Sequence, residues 1–553
     1  MTAPDEKRTP TPVDQIAENW VDTELYLFPE YRVYVGRPGR EGEYSDYSPA
    51  GEEAALEATR AALAQMRGAT AADDIDVVTK MDFERDLELT IEKIEAGFGQ
   101  RDLNVIASPA QDVRAIFDLS PTSSESDWET IAKRLHNLPA ALDGYIETLR
   151  VGIANGNVPA IRQVREVADQ SEKHAASDGF FSQFIGAADV PESLRSDLAS
   201  GAAESAAAYA KLVSFFRDEL APHAPEKDAV GREMYERASR GFLGAKVDLD
   251  ETYEWGIEEL KRMTDEQEAI ANEIKAGASV SEAIAFLDGD ASRKLHGTKA
   301  LQEWMQKTSD QAVEELSKSH FDIPDEVKRL ECMIAPTQEG GIYYTGPTDD
   351  FSRAGRMWWS VPEGVTEFDT WRELTTVYHE GVPGHHLQIG QATYNKAQLN
   401  TWRRNAGTSG HAEGWALYAE RLMEQLGYLD DPADRFGMLD GQRMRAARVV
   451  LDIGVHLEKQ LPDGSGPWTG DYAFGFLRAN VNMSDEFVRF EVNRYLGWPG
   501  QAPSYKIGQR IWEQLRDDAA AEAGSNFDIK AFHKRALDIG GVGLDTLKAA
   551  LAL

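Results

Sequence analysis

His379-Glu380, followed by Gly381-Val382-Pro383-Gly384-His385-His386, sets metal-ligating side chains beside a carboxylate. A catalytic zinc site takes three protein ligands, often two histidines and a carboxylate, and leaves one position open for water. A third ligand is offered by Glu413, 28 residues beyond His385 in His411-Ala412-Glu413-Gly414-Trp415-Ala416-Leu417-Tyr418-Ala419-Glu420. That stretch reads as a helix long enough to point a carboxylate back at the histidines. Glu380, beside the first histidine, is the candidate general base.

The spacing must be reconciled with helix geometry. In an unbroken helix, residues four apart differ by about 40° and share a face, which is why the shorter His-Glu-x-x-His motif works. Here the second histidine follows six or seven positions on. A continuous helix would bring His386 within about 20° of His379 and rotate His385 about 120° away. Pro383 has no N–H to give the His379 carbonyl and its ring clashes there, while Gly384 permits unusual backbone angles, so a helix break is expected. After the break either histidine can reach a metal.

The string Tyr378-His379-Glu380-Gly381-Val382-Pro383-Gly384-His385-His386-Leu387-Gln388, with Glu413 to Glu420 after it, resembles the bacterial family filed as domain of unknown function 885 (DUF885), grouped with helical, gluzincin-type zinc metallopeptidases. Three further stretches match its pattern: Arg445 to His456, Arg494-Tyr495, and Pro499 to Gly508. The resemblance covers most of the chain, tightly from about Gly341 onward. Its pattern His-Glu-x-x-Pro-Gly-His implies that His385, rather than His386, is the ligand. It also implies that Tyr505, in the late motif, donates to the oxyanion of the reaction. Pro503 departs from the larger apolar residue usual at its position.

The resemblance and the residues together lead to the expectation of a zinc-dependent peptidase holding one zinc per chain on His379, His385 and Glu413, with Glu380 as base and Tyr505 as oxyanion donor. Two other classes stay open: a metal-dependent hydrolase or amidase of a small non-peptide substrate, since the same activated water serves any acyl transfer, and a non-catalytic helical scaffold. Asp452 and His456 are four apart on a periodic segment and could form a hydrogen-bonded pair, as support near the metal, as a substrate contact or as a core pair. Arg448 and Arg494 could hold a substrate carboxylate in bidentate fashion or form structural salt bridges. His386 is left for the surroundings of the metal or the cleft.

The elements that must position these groups are helical. Apolar residues recur at three- and four-residue spacing over 51–66, 72–97, 126–155, 160–176, 190–221 and 229–244, with Ser126 or Asp127 capping the third, and another helix runs from near Asp250 to Gly277. The exception is 327–361, where β-favouring runs at 327–335, 341–345 and 355–361 predict a small antiparallel sheet whose edge could hold an extended peptide. Asp288-Gly289-Asp290 is read as a helix-flanking turn. The expected fold is mainly α and two-lobed with a deep cleft: a flexible arm over 1–14, a helical lobe over 15–245 and a catalytic lobe over 246–553.

Composition limits the partners. The chain has 553 residues, with 58 Lys and Arg against 94 Asp and Glu for a net charge of −36. Such a surface repels phosphate backbones and anionic lipid, so nucleic-acid and membrane roles are not expected; it says little about the substrate, for which the site implies a peptide or small molecule. No apolar run reaches the roughly 18 residues of a membrane span, and the first residues lack a signal-peptide core, so a cytoplasmic location is expected. Cys332, the one cysteine, sits in an alternating segment and reads as a packed core thiol.

Overall fold

The computed structural model describes residues 7–336, 341–461 and 463–553 and is mainly helical, from Pro12–Leu27 to Leu544–Ala552. The predicted helices form where apolar spacing demanded them, at Pro49–Gly68, Asp74–Glu95, Glu125–Asn155, Ile161–Ala175, Glu192–Ser214 and Arg232–Leu243. Glu125–Asn155 is capped by Ser124 and not by Ser126 or Asp127: Ser124 accepts from the Asp127 N–H and Asp127 bonds back to Ser124 as a reciprocal pair. Glu192–Ser214 continues into a π-helical turn, Phe215–Leu220.

Of the expected arm, residues 1–6 lie outside the described residues. The rest is held, because Arg8 pairs with Asp14, Asp73 and Asp76 and a helix starts at Pro12 behind a Thr11 cap. Among the described residues no helix is long and apolar enough to cross a membrane.

The sheet forms, but it is mixed and not antiparallel. Gly355–Trp359 lies in the middle, antiparallel to Ile342–Thr345 and parallel to Leu330–Ile334. Leu330–Ile334 joins the far side of the central strand because helix Thr298–Ser319 covers its outer edge: Gln302 and Gln306 donate to the carbonyls of Cys332 and Leu330 at 2.8 and 2.9 Å. Gln306 also accepts from the Cys332 N–H at 3.0 Å. The Cys332 thiol is buried in this layer, which pushes its pKa up to about 11 and suits a core thiol. The Gly340 side of the predicted turn lies outside the described residues. Asp288 ends helix Val280–Asp288 and Asp290 caps the turn that follows, as a helix-flanking turn should.

One apolar core has its buried residues between Leu103 and Leu220, with Val33, Tyr44 and Tyr47 packed against it. The largest core joins Val78, Tyr235 and Leu243 from the first half to Trp371, Trp415, Tyr495 and Trp512 from the second. It is this second core that carries the helices of the candidate site.

Candidate functional site

The first histidine ends one helix and the second begins the next. Thr370–Glu380 stops at Gly381, and His385–Tyr394 starts with Gly384 as its cap. The two helices meet so closely that a Cβ on Gly384 would lie 1.8 Å from the His379 carbonyl oxygen, so only glycine fits. The linker between the helices is held from outside: the Trp415 indole donates to the Pro383 carbonyl at 2.8 Å and to the Gly384 carbonyl at 3.2 Å. The break turns the His379 and His385 rings face to edge, with centroids 4.8 Å apart.

Glu413 arrives on helix Ser409–Gln425. This helix crosses Ser504–Ala523 backbone to backbone: a Cβ on Gly414 would meet the Gly508 carbonyl carbon at 2.4 Å, and one on Gly508 would meet the Gly410 oxygen at 2.2 Å. The same crossing brings Tyr505, one turn before Gly508, toward Glu413. Glu413 Oε2 lies 3.2 Å from His379 Nε2 and 3.6 Å from His385 Nε2. Ligand atoms of the three side chains all lie within 4.8 Å of one another. Two atoms bonded at zinc distances in a tetrahedron would be separated by about 3.3 Å, so this triad has the dimensions of a first coordination shell.

The surroundings of the triad fix its chemistry. His379 Nδ1 lies 2.7 Å from Glu420 Oε1, so the Nδ1–H can donate to that carboxylate while Nε2 faces Glu413 and His385. Glu413 Oε2 is buried without a hydrogen-bond donor. Burial alone would push the His379 imidazole down, but Glu413 and Glu420 at its two nitrogens and the nearby charge of Glu380 hold it up to about 10. Burial pushes Glu413 upward, yet the neighbouring His385 and His379 imidazoles hold it well below the usual carboxylate range. Three carboxylates thus lie around two imidazoles, and His379, His385 and Glu413 are a group that could hold a metal ion.

Glu380 is buried, and its carboxylate has no hydrogen-bond or ion-pair partner among the described residues. Tyr505 is half-buried, and its hydroxyl likewise has no partner among them. Burial and then the charge of Glu413 raise the Tyr505 phenol, so the hydroxyl keeps its proton and stays a donor. The Arg448 guanidinium lies 5.1 Å from the centre of the Tyr505 ring.

Other sequence-derived residues are placed differently. His386 does not face the triad or a cleft: its ring nitrogens meet the Tyr344 hydroxyl at 2.8 Å and the Val327 carbonyl at 2.7 Å, welding the sheet to the histidine helix. Asp452 and His456 share a face as expected but are not hydrogen-bonded to each other, being 3.8 Å apart. Asp452 accepts from the Tyr235 hydroxyl and the Gly500 N–H, at 2.7 and 2.8 Å, and His456 Nε2 lies 3.0 Å from the Tyr495 carbonyl. Both therefore anchor the chain leading to Tyr505. Arg448 and Arg494 do not present free forks. Arg448 donates to Glu491 and Tyr495, both at 2.8 Å, and Arg494 to Glu491 at 3.0 Å and to Gln501.

The sequence reading missed Glu420, although it follows Glu413 by seven residues, two helical turns on the same face. It also missed the buried chain behind it. Gln442 donates to Glu420 at 3.2 Å and accepts from Lys506 at 2.7 Å, and Lys506 pairs with Glu259 at 3.0 Å. Nothing in their local sequence marks these residues, because each contact joins separate helices.

The chain belongs to the family described as bacterial protein of unknown function (DUF885), whose model matches residues 29–551. No curated protein matches it. Solved structures that share the fold include two from different organisms. One, of a lipoprotein candidate from Colwellia psychrerythraea, has a TM-score of 0.84 at 20% identity and covers 98% of both chains. The other, of a lipoprotein candidate of unknown function from Shewanella oneidensis, has a TM-score of 0.76 at 16% identity, over 99% of this chain and 100% of its own.

Proposed function

We propose that this member of the DUF885 family is a zinc-dependent peptidase, with His379, His385 and Glu413 holding one zinc ion. The observation that carries the proposal is the convergence of three ligand atoms within 4.8 Å, with His379 Nδ1 within hydrogen-bond distance of Glu420. When bound, zinc would bring the pKa of a water toward about 7 and polarise a scissile carbonyl. Everything else falls to the chain's own groups. The free Glu380 carboxylate takes a proton from the attacking water and returns it to the leaving nitrogen. The Tyr505 hydroxyl, protonated and uncommitted, donates to the oxyanion as the carbonyl carbon becomes tetrahedral.

The sheet supports a peptide substrate over a small one. Among the described residues, no strand pairs with the outer edge of Ile342–Thr345, and Tyr344 on that strand bonds His386, the neighbour of His385. An extended chain added there by main-chain hydrogen bonds would run beside the triad.

The test is cleavage of a mixed peptide library by zinc-loaded protein, followed by mass spectrometry, with Glu380→Gln protein as the control. Products that form with the wild type and not with the control are expected. An untouched library under zinc-replete conditions would overturn the proposal.

A further inference from the structure

Helix Pro432–His456 presents Gln442, Arg445 and Arg448 at three-residue spacing along one side. The flanking two are engaged with the site: Gln442 bonds Glu420, the partner of His379, and Arg448 lies under the Tyr505 ring. Arg445, midway between them, faces the interval between the triad's support and the oxyanion donor. Its charge reaches both ends. Burial raises Glu420, but His379 and, to a smaller degree, Arg445 bring it below its ordinary value. On Tyr505, Arg445 opposes the upward push of burial and of Glu413.

Arg445 is half-buried and has no ion pair or hydrogen bond among the described residues, and its Nε is sealed from solvent without an acceptor. The other arginines nearby are committed, since Arg448 and Arg494 share Glu491. Two guanidiniums therefore share one carboxylate and Arg445 is left over, inside a chain whose net charge is −36. Gly441 gives the fork room, for a Cβ there would lie 2.5 Å from an Arg445 terminal nitrogen. A partly desolvated guanidinium with no partner is unfavourable until an anion arrives, and its planar fork matches a carboxylate.

Resting on the peptidase reading above, we infer that Arg445 is the specificity residue that receives the free C-terminal carboxylate of the substrate, which makes the site one for peptides with an open carboxyl end. The committed arginines position Tyr505, and Arg445 positions the peptide against it.

The probe is a mixture of N-acetylated pentapeptides, prepared as free acids and as C-terminal amides. Each is titrated calorimetrically into zinc-loaded Glu380→Gln protein, where turnover does not interfere. The acids should bind at least about tenfold more tightly than the amides, the scale of one charge-assisted bidentate contact. Adding Arg445→Met should shrink that ratio to less than about threefold, and Arg445→Lys should keep part of it. Zinc content and near-UV circular dichroism report whether the Arg445 variants fold. Equal affinity for acid and amide, a preference that survives Arg445→Met, or no binding of either would overturn the inference. In the active protein, amides cleaved as fast as acids would overturn it while leaving the peptidase reading intact. An acid preference in binding with no cleavage of either would overturn the peptidase reading instead.

Discussion

Two buried clusters of charge lie side by side in this molecule and solve opposite problems. Around His379 and His385, Glu380, Glu413 and Glu420 gather negative charge, and Glu413 Oε2 is left without a donor. Around Glu491, Arg448 and Arg494 gather positive charge and are tied down by Glu491, Tyr495 and Gln501, while Arg445, one turn before Arg448, has no partner among the described residues. The first cluster is incomplete inward, toward a centre where a cation would sit. In the second, Arg448 and Arg494 each keep one buried nitrogen without an acceptor, and Arg445 has no hydrogen bond or ion pair at all among the described residues. A polar network built only for stability satisfies its members internally, since each unpaired buried group costs about 1–3 kcal/mol. The groups left over in these two clusters are therefore the ones to ask about function, and Tyr505 stands between them.

The comparison can be broken at each cluster. Glu380→Gln keeps the size of the side chain and removes its basicity, so kcat should fall by roughly 10²–10⁴-fold with zinc retained. A variant that turns over normally would return Glu380 to a structural role. Glu491→Gln strips the committed arginines of their shared carboxylate. Removing one partner of a buried ion pair costs about 3–5 kcal/mol, to be read as a lower denaturation midpoint. An unchanged midpoint would mean that the arginine cluster is held by something other than Glu491.

Smaller effects sharpen the picture. Tyr505→Phe should lower kcat by the equivalent of about 2–4 kcal/mol with little change in KM, because an oxyanion donor acts mainly in the transition state. A change confined to KM would make Tyr505 a binding residue. Glu420→Gln should weaken zinc affinity by about 10–100-fold in a chelator competition, the usual size of losing a ligand's supporting partner. Undiminished affinity would show that Glu420 does not fix the His379 ring.

What was legible in the sequence was local. The helices follow from apolar spacing, and the break follows from Pro383 and Gly384, whose effects reach no farther than the adjacent turn. The position of His385 illustrates the limit. A continuous wheel favours His386, and what disposes of it is remote: the Val327 carbonyl and the Tyr344 hydroxyl occupy both of its ring nitrogens. The parallel pairing of Leu330–Ile334 was hidden for the same reason, since it depends on which edge helix Thr298–Ser319 covers. Asp452 and His456 show correct spacing with the wrong inference. They share a face, but Tyr235, Gly500 and Tyr495 offer better partners than they offer each other. Glu420 was the residue within reach, at the same helical phase as Glu413.

The central claim is that the inward-facing triad holds zinc through His385 and not through its neighbour. Elemental analysis of zinc-supplemented wild-type, His385→Ala and His386→Ala proteins tests it most directly. The account predicts about one zinc per chain in the wild type, little or none in His385→Ala, and near-full retention in His386→Ala despite a loss of stability where the sheet meets the helix. No zinc in the wild type, or zinc lost from His386→Ala and kept by His385→Ala, would contradict it.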